Sequence, residues 1–206
     1  LGHLTMLKKE IGEGNPNFKR TLLIEDVALR AHNLGKDILD FSKKEKLKKE
    51  NLNVATAIES VLNLLGKTVL KKIEVEKIFA DRALAVLINK EKFLLALFNV
   101  LINAKDAIWA AQRDKGSIRI AVDRIFISKA EKNFIRIRVS DNGTGIEEKI
   151  MGKIFEPYFT TKGEKGTGLG LTTVKEIIEE NAGWIEIDVK KGNGTTFILF
   201  LPEYCA

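Results

Sequence analysis

The sequence predicts an α+β protein: a two-layer α/β sandwich, with a mixed sheet covered by helices on one face, preceded by a helical hairpin. Three observations predict it. Apolar and polar residues alternate in short runs, as in Ile73, Val75, Lys77 and Phe79, and again across residues 134–139. Apolar segments of helical length, at 54–70, 93–111 and 171–181, separate those runs. Ahead of them, Ile24, Val27, Ala31, Leu34, Ile38 and Phe41 step by alternating threes and fours, a narrow seam of coiled-coil type.

In order along the chain, Leu4, Leu7 and Ile11 lie at helical spacing before G-E-G-N-P-N breaks the pattern. Asn15 or Asn17 then caps a long helix over 20–47. Two helices joined by a short turn are half of a four-helix bundle. Such a half cannot bury its seam alone, which predicts a homodimer; packing of the hairpin on the rest of its own chain is the alternative. Residues 50–52 read as a polar connector and 54–70 as an amphipathic helix. Strands follow at 73–80 and 84–88, and Asn89 caps the helix that runs to 111. Residues 117–128 and 133–140 form a hairpin of long alternating strands. The helix over 171–181 stops at Ala182-Gly183, and strands 184–189 and 195–201 join across K-K-G-N-G. The division expected is 1–50 for the hairpin and 51–206 for the sandwich, with no internal repeats.

Composition narrows the function classes. The 206 residues are 45% hydrophobic and 30% charged, with net charge +6. Lys and Glu interleave, as in K-K-E-K-L-K-K-E over 43–50, which reads as a solvated helix face rather than a nucleic-acid patch. A single cysteine, Cys205, excludes an intrachain disulfide framework. No apolar run is expected to be long enough to span a bilayer, none has signal-peptide architecture, and the expected location is cytoplasmic.

The chemistry-bearing stretch runs from Ser140 to Thr172: S-D-N-G-T-G-I, I-F-E-P-Y-F-T-T-K, then G-E-K-G-T-G-L-G-L-T. A glycine loop opening a helix is an anion site, because free N–H groups and the helix dipole both face it. The second cluster therefore reads as a phosphate cradle. It lacks the G-K-[ST] ending of a P-loop, and its glycines come too late in the chain for a dinucleotide fold. Alone, D-N-G-T-G reads as a turn. Upstream, Asn99 and Asn103 lie four apart, so their amides share one face of an otherwise apolar helix. Asn is a poor helix former and costly to bury unpaired, so the pair reads as presented to a ligand or a hydrated cation.

Together, Asn99-x-x-x-Asn103-Ala, Asp141-x-Gly143-x-Gly145, Phe155-x-Pro157-x-Phe159 and Gly166-x-Gly168-x-Gly170 resemble the N box, first glycine box, F box and second glycine box of sensor histidine kinases. These belong to the ATPase superfamily that includes gyrase, MutL and a heat-shock chaperone. The resemblance covers residues 53–202 and implies a Bergerat-type ATP-binding fold, with ATP and Mg²⁺ as cofactors. It implies that Asp141 accepts a hydrogen bond from the adenine amino group, with Thr195 assisting through water and Gly143 and Gly145 admitting the base. It implies Asn103 as the Mg²⁺ ligand, Asn99 towards the phosphates, and backbone N–H groups of Gly166, Thr167, Gly168, Leu169 and Gly170 on the phosphates. Many relatives carry Lys three residues after the second Asn; here Asp106 stands there, and Lys162 or Lys165 is the candidate for the missing charge. Phe155 and Phe159 anchor an expected lid over 146–165 or are plain core aromatics.

The resemblance further implies phosphoryl transfer to a His on the dimerisation helices, then to an Asp on a response-regulator receiver domain, under an upstream sensor domain. The family's acceptor His precedes an acid and, a few residues on, a Pro. His3 is followed by Leu4-Thr5-Met6 and His32 by Asn33-Leu34, so neither fits, and the acceptor is expected upstream of Leu1. No catalytic residue is therefore assigned within the chain. A hydrolase or clamp of the same superfamily would need a catalytic Glu before Asn99, where Ala96, Leu97 and Phe98 stand. A nucleotide-gated dimeric interaction module is the other alternative, and nucleotide binding separates it.

Overall fold

The computed structural model describes residues 15, 48–70, 72–163, 166–189 and 194–204. The expected helical hairpin with its seam, His3, His32 and Lys165 lie outside the described residues. The chain divides into two compact units, 1–47 and 48–206, and the second carries the fold below.

Five strands form the main sheet: β2 (Ile73–Phe79), β4 (Gly116–Ile127), β5 (Lys132–Asp141), β6 (Trp184–Val189) and β7 (Thr195–Pro202). Their order is β2-β4-β5-β7-β6; β2 runs parallel to β4 and every other neighbour is antiparallel. The sheet is mixed, as expected, and both predicted hairpins form. Residues 50–53 depart from expectation. They are no connector but a strand, β1 (Glu50–Asn53), paired antiparallel with β3 (Ala85–Ile88) in a separate two-stranded sheet. Only Leu52 of the four is buried, so the pattern is too short to announce a strand.

Three helices provide the second layer. Asn53 caps α1 (Val54–Val69) by accepting from the Thr56 N–H at 2.9 Å, and Gly66 interrupts its last turn. Asn89 caps α2 (Lys90–Ala110), accepting from the Lys92 N–H at 2.9 Å. α2 is long and apolar enough to cross a membrane, contrary to the sequence expectation. Its Phe93, Leu97, Val100, Leu101 and Ala104 are buried in the cluster that includes Ile118, Ile120, Ile135, Ile137 and Leu199 of the sheet. That burial makes it a core helix; length and composition alone do not separate the two cases. α3 (Gly170–Glu179) adds Val174, Ile177 and Ile178 to the same core. Each such fully buried side chain contributes roughly 1.5–3 kcal/mol.

Alternation turns the other residues of β5 outward. Arg136 there grips Asp123 of β4 directly opposite, at 2.6 and 3.0 Å, and Thr196 bonds Ser140 at 2.9 Å. At one end Trp184 stacks on Phe200 and meets Phe134 edge-on.

Candidate nucleotide site

The site is assembled along α2. Asp141 ends β5 and is only 9% exposed. Its Oδ1 accepts from the Gly143 N–H at 2.7 Å and the Thr195 N–H at 3.4 Å. Both bonds use one oxygen, which fixes the carboxylate and leaves Oδ2 for a further donor. Burial pushes the Asp141 carboxyl above the ordinary carboxylate range; the N–H groups of Gly143 and Thr195 offset only part of this. Thr195 thus meets Asp141 through its backbone, a link the sequence does not reveal.

The first glycine cluster is docked on α2. A Cβ on Gly143 would stand 2.5 Å from the Ala107 carbonyl carbon, and the Thr144 N–H donates to the Ala107 carbonyl at 3.2 Å. The need for glycine comes here from the helix backbone, whereas the sequence alone suggests approach of a base. Gly194, which the sequence reading leaves as part of a hairpin turn, has φ +100°, and a Cβ there would lie 1.8 Å from the Asp141 carbonyl oxygen. Gly145 has φ +73° on the far side of the turn.

One and two turns earlier on α2 stand the asparagines. A Cβ on Gly170 would lie 3.6 Å from Asn99 Oδ1, so the opening of α3 and Asn99 face each other. No side chain caps α3, whose first residues follow Leu169 directly. Its N-terminal N–H groups and dipole are open to an anion. Gly168 packs on the Tyr158 backbone and Gly166 on the Thr160 hydroxyl, so the second glycine cluster is folded against the F-box segment. Phe155 is half-buried beside α3: its carbonyl accepts from the Thr172 hydroxyl at 3.2 Å, and the Lys175 ammonium lies 5.8 Å from its ring. Phe159 is also half-buried, so neither ring is a plain core aromatic.

Lys162 does not project freely. Its ammonium donates to Asn103 Oδ1 at 2.9 Å and to Asp106 Oδ2 at 2.7 Å. Lys105 pairs with the other Asp106 oxygen at 3.0 Å. Burial opposes ionisation of Asp106, but the hydrogen bonds and charge of Lys162 and Lys105 outweigh it and hold the carboxyl below its ordinary range. The structure therefore joins Lys162 directly to Asn103 and Asp106, bonds across 59 and 56 residues that no local spacing reveals. Among the described residues no group of three or more His, Cys, Asp or Glu could form an all-protein metal cage. A cavity of about 300 Å³ near Lys49, Leu87 and Glu180 shares no residue with this site.

An open helix terminus, a buried carboxylate at a strand end and an amide pair between them make up the candidate nucleotide site. The histidine kinase-, DNA gyrase B- and HSP90-like ATPase family matches residues 89–204, and the chain belongs to that family. The matched region is an ATP-binding catalytic domain of the histidine-kinase type. The sensor kinase CckA of Brucella abortus (strain 2308) is 34% identical over 199 residues, 92% of this chain and 21% of the relative. The signal transduction histidine-protein kinase AtoS of Escherichia coli (strain K12) is 42% identical over 117 residues, 56% of this chain and 18% of the relative. The chain thus spans about a fifth of these relatives. Among solved structures, the catalytic domain of the histidine kinase ThkA superposes with TM-score 0.63 at 28% identity, over 76% of this chain and 98% of that one. ThkA in complex with the response regulator protein TrrA gives TM-score 0.71 at 26% identity, over 98% of this chain and 56% of that one.

Proposed function

We propose that this chain is the ATP-binding and catalytic part of a sensor histidine kinase. It transfers the γ-phosphoryl group of ATP to a His on dimerisation helices, for relay to an Asp on a response regulator. The observation that carries this reading is Asp141: a buried carboxylate, held by two N–H groups on one oxygen, ready to accept the adenine amino group with the other. Guanine presents an oxygen there, so the site selects adenine. The partner expectation is supported by ThkA, whose structure was solved with its regulator. Residues 1–47 are assigned to the dimerisation hairpin and 48–206 to the nucleotide domain, a boundary earlier than the expected 50/51 because β1 already begins at Glu50.

The phosphates lie at the α3 terminus, on the N–H groups of residues 166–170, with Asn99 beside them. Mg²⁺ suits the Asn103 amide oxygen, a hard donor that already accepts from a cation, the Lys162 ammonium. When bound, the ion neutralises charge on the transferring phosphoryl group. The chain's own residues orient the triphosphate, and transfer then rests on positioning and charge stabilisation. Neither His3 nor His32 is followed by an acid that could take the imidazole proton, so neither is the acceptor.

Two measurements test the reading. Calorimetric titration should give tighter binding of ATP than of GTP, and Asp141→Ala should lose about 1–3 kcal/mol for ATP. With γ-labelled ATP the chain alone should stay unlabelled, while an added helical bundle carrying a His-acid-x-x-Pro segment becomes labelled. Equal affinity for both bases, or label on His3 or His32, overturns the assignment.

A further inference from the structure

Asn103 and Asp106 lie three residues apart on α2, one turn of the same face. Their oxygens converge on a single cation, the Lys162 ammonium, at 2.9 and 2.7 Å. The remaining Asp106 oxygen stays with Lys105, which is also held 4.5 Å from the Trp109 ring centroid. Asp106 thus has one oxygen on Lys105 of its own helix, while the other shares the Lys162 ammonium with Asn103 Oδ1. A neutral amide oxygen and a carboxylate oxygen on one small positive group are the donor types a hard dication takes, with water and phosphate completing its shell.

We propose that Asp106 is a second oxygen arm of the divalent-cation seat and that Lys162 keeps the seat filled until the cation arrives. Without nucleotide, the ammonium neutralises the half-buried carboxylate and satisfies the Asn103 oxygen. A dication entering with ATP brings twice the charge to the same oxygens. It repels the ammonium at contact distance, so Lys162 moves off towards the negative phosphates. Lys105 stays on Asp106 Oδ1, so only Oδ2 changes partner. The exchange links metal arrival to delivery of the Lys162 charge. It accounts for an acidic residue where many relatives carry a basic one: the basic contact comes from Lys162, and Asp106 holds that lysine back. The inference rests on the reading that Asn103 faces the metal.

The test uses the full chain with Mn²⁺ as the ion and a non-hydrolysable ATP analogue, reading bound Mn²⁺ by electron paramagnetic resonance. Asp106→Asn should weaken Mn²⁺ binding by about tenfold or more, and should tighten binding of the analogue in EDTA because Lys162 is released. Lys162→Met should do the reverse, strengthening Mn²⁺ binding and weakening the metal-free analogue. A plain structural ion pair predicts the same direction for both variants, since each breaks the same contact; that outcome overturns the proposal. If Asp106→Asn does not fold, Lys162→Met decides, and unchanged or weaker Mn²⁺ binding overturns it. Asn103→Ala separates the two levels. If it leaves Mn²⁺ binding intact, the underlying metal reading fails. If it abolishes binding while Asp106→Asn matches wild type, only the role of Asp106 fails.

Discussion

At Asp141 the proposed recognition works against stability. Burial raises its folded-state pKa, so the folded protein holds the proton more tightly than the unfolded chain. Stability linked to this group is therefore lost as pH rises from the unfolded value through the folded one, and the cost is complete above it. Asp141→Asn removes that cost and keeps an oxygen for the Gly143 and Thr195 N–H groups, but places an NH₂ where Oδ2 is proposed to accept from adenine. The expected outcome at neutral pH is a nucleotide-free protein that melts no lower than wild type and gains far less from added ATP. Thermal melts with and without ATP check both halves, and a lower melting temperature without nucleotide contradicts the burial argument. The carboxylate's place at the end of an alternating run before glycines was readable from the chain. Its grip by Thr195 was not, because 54 residues separate donor from acceptor.

Among the elements, the end of α3 shows how a local signal can be right about place and silent about cause. Ala182-Gly183 marks a helix stop, and a glycine there suggests the left-handed position. The structure puts Ala182 in that conformation, at φ +56°. Gly183 is small for another reason: a Cβ on it would stand 2.1 Å from the Phe200 carbonyl oxygen of β7. Opposite signs follow for two one-methyl changes. Ala182→Gly should stabilise the fold by roughly 1 kcal/mol by removing left-handed strain. Gly183→Ala should destabilise it by about 1–3 kcal/mol, because a backbone oxygen cannot step aside. Urea denaturation of the two variants measures both, and matching signs would show the cap geometry to be wrong. The α2 boundary, by contrast, was legible to the residue, since Asn89 precedes the apolar run and caps it through a local bond.

Across the whole molecule, the outward face of the sheet is joined by a paired cross-strand charge. The Arg136 hydrogen bond and charge, against a smaller burial penalty, hold the Asp123 carboxyl below its ordinary range. A depressed folded value gives stability that is present above the unfolded pKa and lost as pH falls through the folded one. Asp123→Asn should cost about 1 kcal/mol near neutral pH, and its deficit should shrink once the solution is taken below the ordinary carboxylate range. Chemical denaturation of both proteins at neutral and acid pH checks this; a deficit that stays constant with pH assigns the loss to packing rather than charge.

The chain by itself determined what depends on neighbours close in sequence: the alternating strands, the caps at Asn89 and Ala182-Gly183, the hairpins, and the glycine clusters and asparagine pair of the candidate nucleotide site. Period and turn chemistry act over a few residues, so they are written where they act. Only the tertiary structure decided the pairing of β1 with β3, the seating of Gly143 on Ala107, and the bond from Lys162 to Asn103 across 59 residues. The last two contacts come from packing distant segments against α2. No local pattern encodes which atoms then meet, because the distance between them is set by every layer in between.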